Sequence, residues 1–199
     1  MDGKFIHPYE VGHAVIGTSY INVYFFKRLF STSTEISNMT FTTAALCDAY
    51  SGENNFQIAE SLFMSFGGNA AFSGQITTLK TFENNVLVKT ILEEKVQNRV
   101  LVIDGGGSHR CALIDANLAA IAVENGWQGI VVYGCIRNAA SIDTLPIGIR
   151  ALHTHPLKSH KKDHGDRDLL VSFAGVNFKK DHYLYADSDG IIVSATNLS

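Results

Sequence analysis

The chain has no surplus of positive charge: 16 Lys and Arg face 19 Asp and Glu over 199 residues, a formal charge of −3. That removes the electrostatic footprint of a direct nucleic-acid binder and leans towards a basic partner instead. Cysteine is scarce. Cys47, Cys111 and Cys135 are odd in number and have no CxxC or other ligand spacing. They read as reduced, mostly buried thiols of a cytosolic protein. No stretch reaches the roughly twenty apolar residues of a membrane span. The uncharged run from Val11 to Phe26 is shorter and contains His13 and Asn22. No small-residue cleavage site follows Lys27-Arg28, which argues against a signal peptide. Internal repeats and low-complexity runs are absent too. With 46% hydrophobic and 18% charged residues, the chain is globular and fits one domain, or one with an appendage.

Several site signatures are also missing. Gly105-Gly-Gly107 invites a nucleotide reading, but a dinucleotide fingerprint needs a third glycine where Arg110 stands. A P-loop needs Gly-Lys-Ser/Thr, which does not follow. These glycines read instead as close backbone approach at a strand end. His153, His155, His160 and His164 accompany Lys158, Lys161 and Lys162 with no ordered scaffold spacing such as HxxxH on a helix, so a mobile solvated loop is expected rather than a metal site. Asp187 and Asp189 lack the other ligands of a calcium loop and read as turn residues. Sequence order supports no Ser-His-Asp or Cys-His constellation.

What is present is organised around Val100 to Asn138. Val100-Leu-Val-Ile103 reads as a strand buried on both faces, and Asp104-Gly-Gly-Gly107 breaks it sharply. A helix follows, with Ala116, Ala119, Ala120 and Val123 on its apolar face and Gly126 as its stop. Gly129 to Tyr133 is a second buried strand, leading into Arg137-Asn138. Strand, helix, strand at this spacing predicts a parallel βαβ unit. The glycine turn and Arg137 then fall at the carboxyl edge of the sheet, where open α/β sheets bind ligands. Asp115 is a candidate N-cap that leaves the N–H groups of Ala116, Asn117 and Leu118 at the helix start. With the guanidinium of Arg137 these would form a small anion site. The competing reading is that Asp115 only caps and Arg137 only pairs with a neighbouring carboxylate.

Elsewhere, Thr42 or Thr43 caps a helix from Ala44 to Tyr50, and Ala70 to Phe82 reads as one or two strands around Gly74. Asn84 or Asn85 caps a helix from Val86 to about Lys95, with Leu87, Ile91 and Leu92 inward. Strands are expected at 147–152, 169–173, 176–178, 182–185 and 191–194. Residues 1–38 differ from the rest: Ser31 to Thr34 and Ser37-Asn38 resemble a linker. The expected division is an extension over 1–38, from a start assigned too far upstream, and a functional domain over 39–199.

Thr43-Ala-Ala-Leu-Cys-Asp-Ala-Tyr50, Phe66-Gly-Gly68, Gly74-Gln-Ile76, Val100 to Ser108, Ala112 to Ala119, Gly129 to Gly134, Phe173-Ala-Gly-Val176 and Tyr185 to Gly190 together resemble the family of the regulator of ribonuclease E activity A. The resemblance runs from Met39 to near the C-terminus. It implies a single α/β domain, a swivelling β/β/α-type sandwich containing the parallel βαβ unit, assembled as a homotrimer. It also implies a cytoplasmic protein that binds the C-terminal scaffold region of ribonuclease E and inhibits its endonucleolytic activity. Association with the degradosome RNA helicase follows, with neither direct nucleic-acid nor membrane contact.

A sister branch of that family comprises the 4-hydroxy-4-methyl-2-oxoglutarate aldolases, which also decarboxylate oxaloacetate and depend on a divalent metal, Mg or Mn. Their signature is an acidic residue, twenty intervening residues, then Arg-Asp. Here those positions are Ala116, Arg137 and Asn138. The substrate-anchoring part remains, as Asp115 to Leu118 and Arg137. Ala116 offers no ligand atom, and Asn138 offers a neutral oxygen where a hard cation wants a carboxylate. The expectation is therefore a regulator without catalysis, without a cofactor, and with a vestigial anion site at Asp115, Ala116, Asn117, Leu118 and Arg137. The aldolase is the alternative.

Overall fold

In the computed structural model, residues 41–159 and 164–198 are described, and all belong to one compact unit, Met39–Ser199. The expectations for residues 1–38 and for His160, Lys161 and Lys162 lie outside the described residues.

The fold is a mixed α/β sheet with parallel strands at its centre. Four strands run parallel in the order β3 (Phe72–Lys80), β4 (Arg99–Ile114), β5 (Trp127–Ile136) and β6 (Gly148–Thr154). Antiparallel strands extend both sides. β2 (Met64–Phe66) closes the β6 edge, while β10 (Tyr183–Ala186), β11 (Ile191–Ser194) and β1 (Phe56–Ile58) follow β3 in turn. β7 (Asp166–Arg167) pairs with the far end of β3. β8 (Val171–Phe173) and β9 (Val176–Phe178) form a separate hairpin.

The continuous apolar runs of β4 and β5 arise because both faces are covered. Leu101, Ile103, Ile130 and Val132 point into a core shared with helices α2 (Val86–Leu92) and α3 (Ala116–Glu124). Val100, Val102 and Val131 point the other way, onto Phe72, Phe173 and Phe178 beneath the hairpin. Helices, sheet and hairpin thus make three layers. Phe72 is 1% exposed and sits against two glycines. A Cβ on Gly129 would lie 2.2 Å from its ring, and one on Gly148 would lie 2.1 Å away. Helix α1 (Thr43–Tyr50), capped by the Thr42 hydroxyl accepting from the Ala45 N–H at 3.1 Å, lays Leu46 on Tyr185 and Ile192.

Three local expectations need correction. Strand β4 does not break at the glycines; it continues to Ile114 with register shifts against β5, Gly106 and Gly107 adopting φ of +67° and +66°. Added Cβ atoms are costly there for another reason as well, since one on Gly105 would lie 2.7 Å from the Tyr133 carbonyl. Helix α2 ends at Leu92 rather than Lys95, because the Val96 N–H turns away to the Asn125 carbonyl (2.9 Å). Helix α3 buries Leu118, Ala119 and Ala122, so its inward face is rotated from the one read off the alanines and Val123. Leu118 carries more apolar area than any of those alanines and takes the core position.

Candidate active site

Asp115 is the centre of the site. Its extended backbone (φ −126°, ψ 175°) makes it the N-cap of α3, and its Oδ1 accepts the Leu118 N–H at 3.2 Å. Oδ2 meets two cations, Arg137 Nη2 at 3.1 Å and Lys158 Nζ at 3.7 Å. The Asp115 side chain is only 6% exposed, against 30% for Arg137 and 46% for Lys158. Burying a carboxylate is costly unless it is paired and hydrogen-bonded. Here the cap and the two cations meet that cost together, while both cations keep contact with solvent.

Each element delivers its residue for a local reason. Arg137 follows the last residue of β5, and its own N–H donates to the Ile114 carbonyl at 3.0 Å, which ties the strand end to the residue before the cap. Asn138 stands in the left-handed region (φ 59°, ψ 41°), a conformation asparagine tolerates better than most residues. Its carbonyl starts the short helix α4 (Ala139–Ile142). Lys158 is brought in by a backbone bridge. The Ala112 N–H donates to the Leu157 carbonyl (2.8 Å), and the Ser159 N–H donates to the Ala112 carbonyl (3.1 Å).

This corrects the reading of the histidine- and lysine-rich stretch as a mobile solvated loop, at least as far as Ser159. Non-local pairing with β4 fixes it, and no local pattern announces that pairing. Lys158 is therefore the site residue that sequence reading passes over. It lines a cleft of about 540 Å³ between α2 and α3, together with Asp115, Asn117, Leu118, Lys89 and Glu93. Lys89 and Glu93 pair with each other across one helical turn at 3.4 Å. Arg137 is not part of the cleft wall; it reaches the same carboxylate from the strand end. Its Nε is buried without an acceptor among the described residues.

Of the anticipated anion-site residues, the structure brings Asp115 and Arg137 into direct contact and places Asn117, exposed, on the cleft. The Leu118 N–H is already taken by Asp115, and the Ala116 side chain packs against the helical core. Arg137 thus spends one guanidinium nitrogen on a structural carboxylate.

A divalent metal is implied by the aldolase branch, and the donor set does not suit one. Among the described residues no three His, Cys, Asp or Glu side chains converge as ligands. Ala116 and Asn138 supply no carboxylate, and the Asp115 carboxylate already meets two cations and an N–H.

Other candidate residues have structural explanations. Asp187 accepts the Thr43 N–H and Oγ1–H, both at 2.6 Å, and the Asp189 N–H at 2.9 Å. Burial alone would raise its carboxyl, but these hydrogen bonds outweigh that and hold it below the ordinary carboxylate range. Ser108 Oγ and Arg110 Nε both donate to Glu83 at 2.6 Å, which pins the glycine turn. His109 and His153 face each other at 5.5 Å between ring centres on a separate cleft of about 450 Å³. Burial pushes the thiols of Cys47, Cys111 and Cys135 up, so none is activated as a nucleophile. No helix among the described residues is long and apolar enough to cross a membrane.

Comparison with known proteins bears directly on this site. The profile of the RraA-like family, described as Aldolase/RraA, matches residues 43–193. A protein of Methylococcus capsulatus is 61% identical over 160 residues, 80% of this chain and 99% of its own length; its name is "Putative 4-hydroxy-4-methyl-2-oxoglutarate aldolase". Three further relatives, 50–54% identical, carry the same name. Among solved structures, the RNA-processing inhibitor RraA from Thermus is 40% identical with a TM-score of 0.76, over 80% of this chain and 95% of that one. A Geobacillus kaustophilus structure, called S-adenosylmethionine:2-dimethylmenaquinone methyltransferase, is 44% identical with a TM-score of 0.77 over 79% and 97%. The expectation of a protein without catalysis is corrected by these relatives. Four sequences half or more identical to this one bear an enzyme's name, so losing carboxylates at 116 and 138 is not enough to set the chain outside the enzymes.

Proposed function

Because the chain belongs to the RraA-like family, we propose that it is a carbon–carbon lyase of the 4-hydroxy-4-methyl-2-oxoglutarate aldolase type, releasing pyruvate. The observation that carries this reading is the 61% identity across 99% of a relative with that name. The site's chemistry agrees with an anionic 2-oxo acid. Two cations crowd one buried carboxylate at a helix start beside an open cleft, and the helix dipole adds to their field. In the cleavage the C4 hydroxyl gives its proton to water and its oxygen becomes a carbonyl as the C3–C4 bond breaks. The electron pair moves onto the C2 oxygen, and the resulting enolate takes a proton at C3 from water. Arg137, 30% exposed and using one guanidinium nitrogen on Asp115, offers a remaining N–H to the substrate carboxylate from the strand end beside the cleft.

The test is pyruvate release from 4-hydroxy-4-methyl-2-oxoglutarate and from oxaloacetate, followed with a coupled dehydrogenase. Arg137→Ala should lower kcat/KM by roughly 10- to 100-fold, the worth of one hydrogen bond to a charged group. Pyruvate release no faster than the buffer blank, with and without added magnesium or manganese, would remove the reading.

A second reading rests on the Thermus RNA-processing inhibitor at 40% identity and on the chain's negative charge. In it a homotrimer binds the basic scaffold region of ribonuclease E and slows RNA cleavage. Unaltered cleavage by the nuclease at saturating protein, or a monomer in sedimentation at micromolar concentration, would count against it.

A further inference from the structure

We infer that Lys158 takes over the charge that a divalent cation supplies in the related aldolases, so that this site binds the enolate form of its 2-oxo acid without a metal. The inference rests on the lyase reading above for its substrate class and goes beyond it in naming the electrophile.

Three observations carry it. First, the charges do not balance in favour of a bound cation: one carboxylate, Asp115, faces both Arg137 and Lys158, while Lys89 and Glu93 on the same cleft cancel each other. A divalent ion brought to Asp115 would be repelled by two cations already within 4 Å of its oxygen. Second, only one of the two cations lines the cleft, and it is Lys158. Third, that lysine is placed rather than loose. Hydrogen bonds of Leu157 and Ser159 with Ala112 hold the backbone on either side of it, while its side chain remains 46% exposed.

Its ammonium has three donors, and at 3.7 Å from Asp115 Oδ2 it pairs by charge without spending one of them there. As the C3–C4 electron pair moves onto the C2 oxygen, a fixed cation beside that oxygen stabilises the developing charge. Arg137 meanwhile keeps Asp115 neutralised, so the carboxylate does not pull Lys158 back from the substrate. Lys158 is thereby assigned a place in contact with the reacting atoms, and Arg137 the anchoring of the carboxylate.

The test uses oxalate, a planar mimic of the pyruvate enolate, with calorimetry on the full chain. Binding is measured after exhaustive treatment with a chelator and again with added magnesium. The expected result is equal affinity in both conditions, binding weakened by about tenfold or more in Lys158→Met, and most of it retained in Lys158→Arg. The side chain is half exposed, and matching thermal transitions for the three proteins establish that the variants are folded. Oxalate binding that requires the metal overturns the inference. So does metal-independent binding that Lys158→Met leaves intact, and so does no binding in any condition. Pyruvate release is scored separately. If oxalate binds as described but no 2-oxo acid is cleaved, the lyase reading fails and the assignment of Lys158 as a ligand for the anion stands.

Discussion

Asp115 does two jobs that substitutions can separate. Its Oδ1 caps α3 through the Leu118 N–H, and its Oδ2 balances Arg137 and Lys158. Asparagine caps a helix about as well as aspartate, whereas alanine does not, and the loss of a cap costs about 1 kcal/mol. The charge contribution is separate. The buried Asp115 side chain meets an arginine that is 30% exposed and a lysine that is 46% exposed. Solvent screening at the two cations reduces what would otherwise be a strong pair to about 1 kcal/mol. Asp115→Asn should therefore lose about 1 kcal/mol and Asp115→Ala about 2 kcal/mol. The measurement is urea unfolding at low and high salt. Added salt should shrink the gap between wild type and Asp115→Asn, since the Debye length falls from about 10 Å at 0.1 M to about 3 Å at 1 M. It should leave the gap between the two variants unchanged, because the cap bond of an asparagine side chain is neutral. Equal losses in both variants would show that the cap contributes nothing. A wild-type advantage over Asp115→Asn that ignores salt would refute the electrostatic account.

Other expectations follow from the rest of the fold. Gly148→Ala would drive a methyl group to within 2.1 Å of the Phe72 ring; overpacking of this kind typically costs about 1–3 kcal/mol, read as a lowered urea midpoint. Arg150 is 3% exposed and donates to the carbonyls of Ile149, Ala70 and Asp187, and Arg150→Met should destabilise by about 2–3 kcal/mol by leaving buried acceptors unpaired. A Phe72 side chain that already stacks beneath that guanidinium at 5.3 Å makes methionine the fair replacement in shape. For pH, the Asp187 carboxyl lies below its ordinary value when folded. Its stabilisation is thus complete above the unfolded carboxylate pKa and is lost as pH falls through the lower folded value. Asp187→Asn should accordingly flatten the acid limb of a stability–pH curve, and a curve parallel to wild type would reject the assignment.

The parallel core was legible because its signals are local. Val100 to Ile103 and Gly129 to Tyr133 are apolar on both faces, and Asp115 stands one residue before an alanine-rich helix. Even the contact between Arg137 and a carboxylate could be anticipated, as the plainer of two readings. Lys158 could not. It reaches Asp115 only because residues 157 and 159 pair with Ala112, a long-range pairing that leaves no periodic trace. The glycine turn misled in the opposite direction, since three glycines suggest a break while β4 passes through them with bulges. The expectation of no catalysis is overturned by relatives half or more identical to this chain that bear an enzyme's name. Counting carboxylates at 116 and 138 tests one way of placing positive charge beside an enolate, and a side-chain cation is another.

The slot that holds Phe72 has a consequence for how sequences of this fold can drift. Positions 72, 129 and 148 lie on three different strands, yet the ring leaves no room for a Cβ on either glycine. Sterically they form one unit: a side chain gained at 129 or at 148 requires a smaller residue at 72. Neither change is tolerated first without a loss of stability, so a side chain at either glycine position should appear only together with a smaller residue at 72.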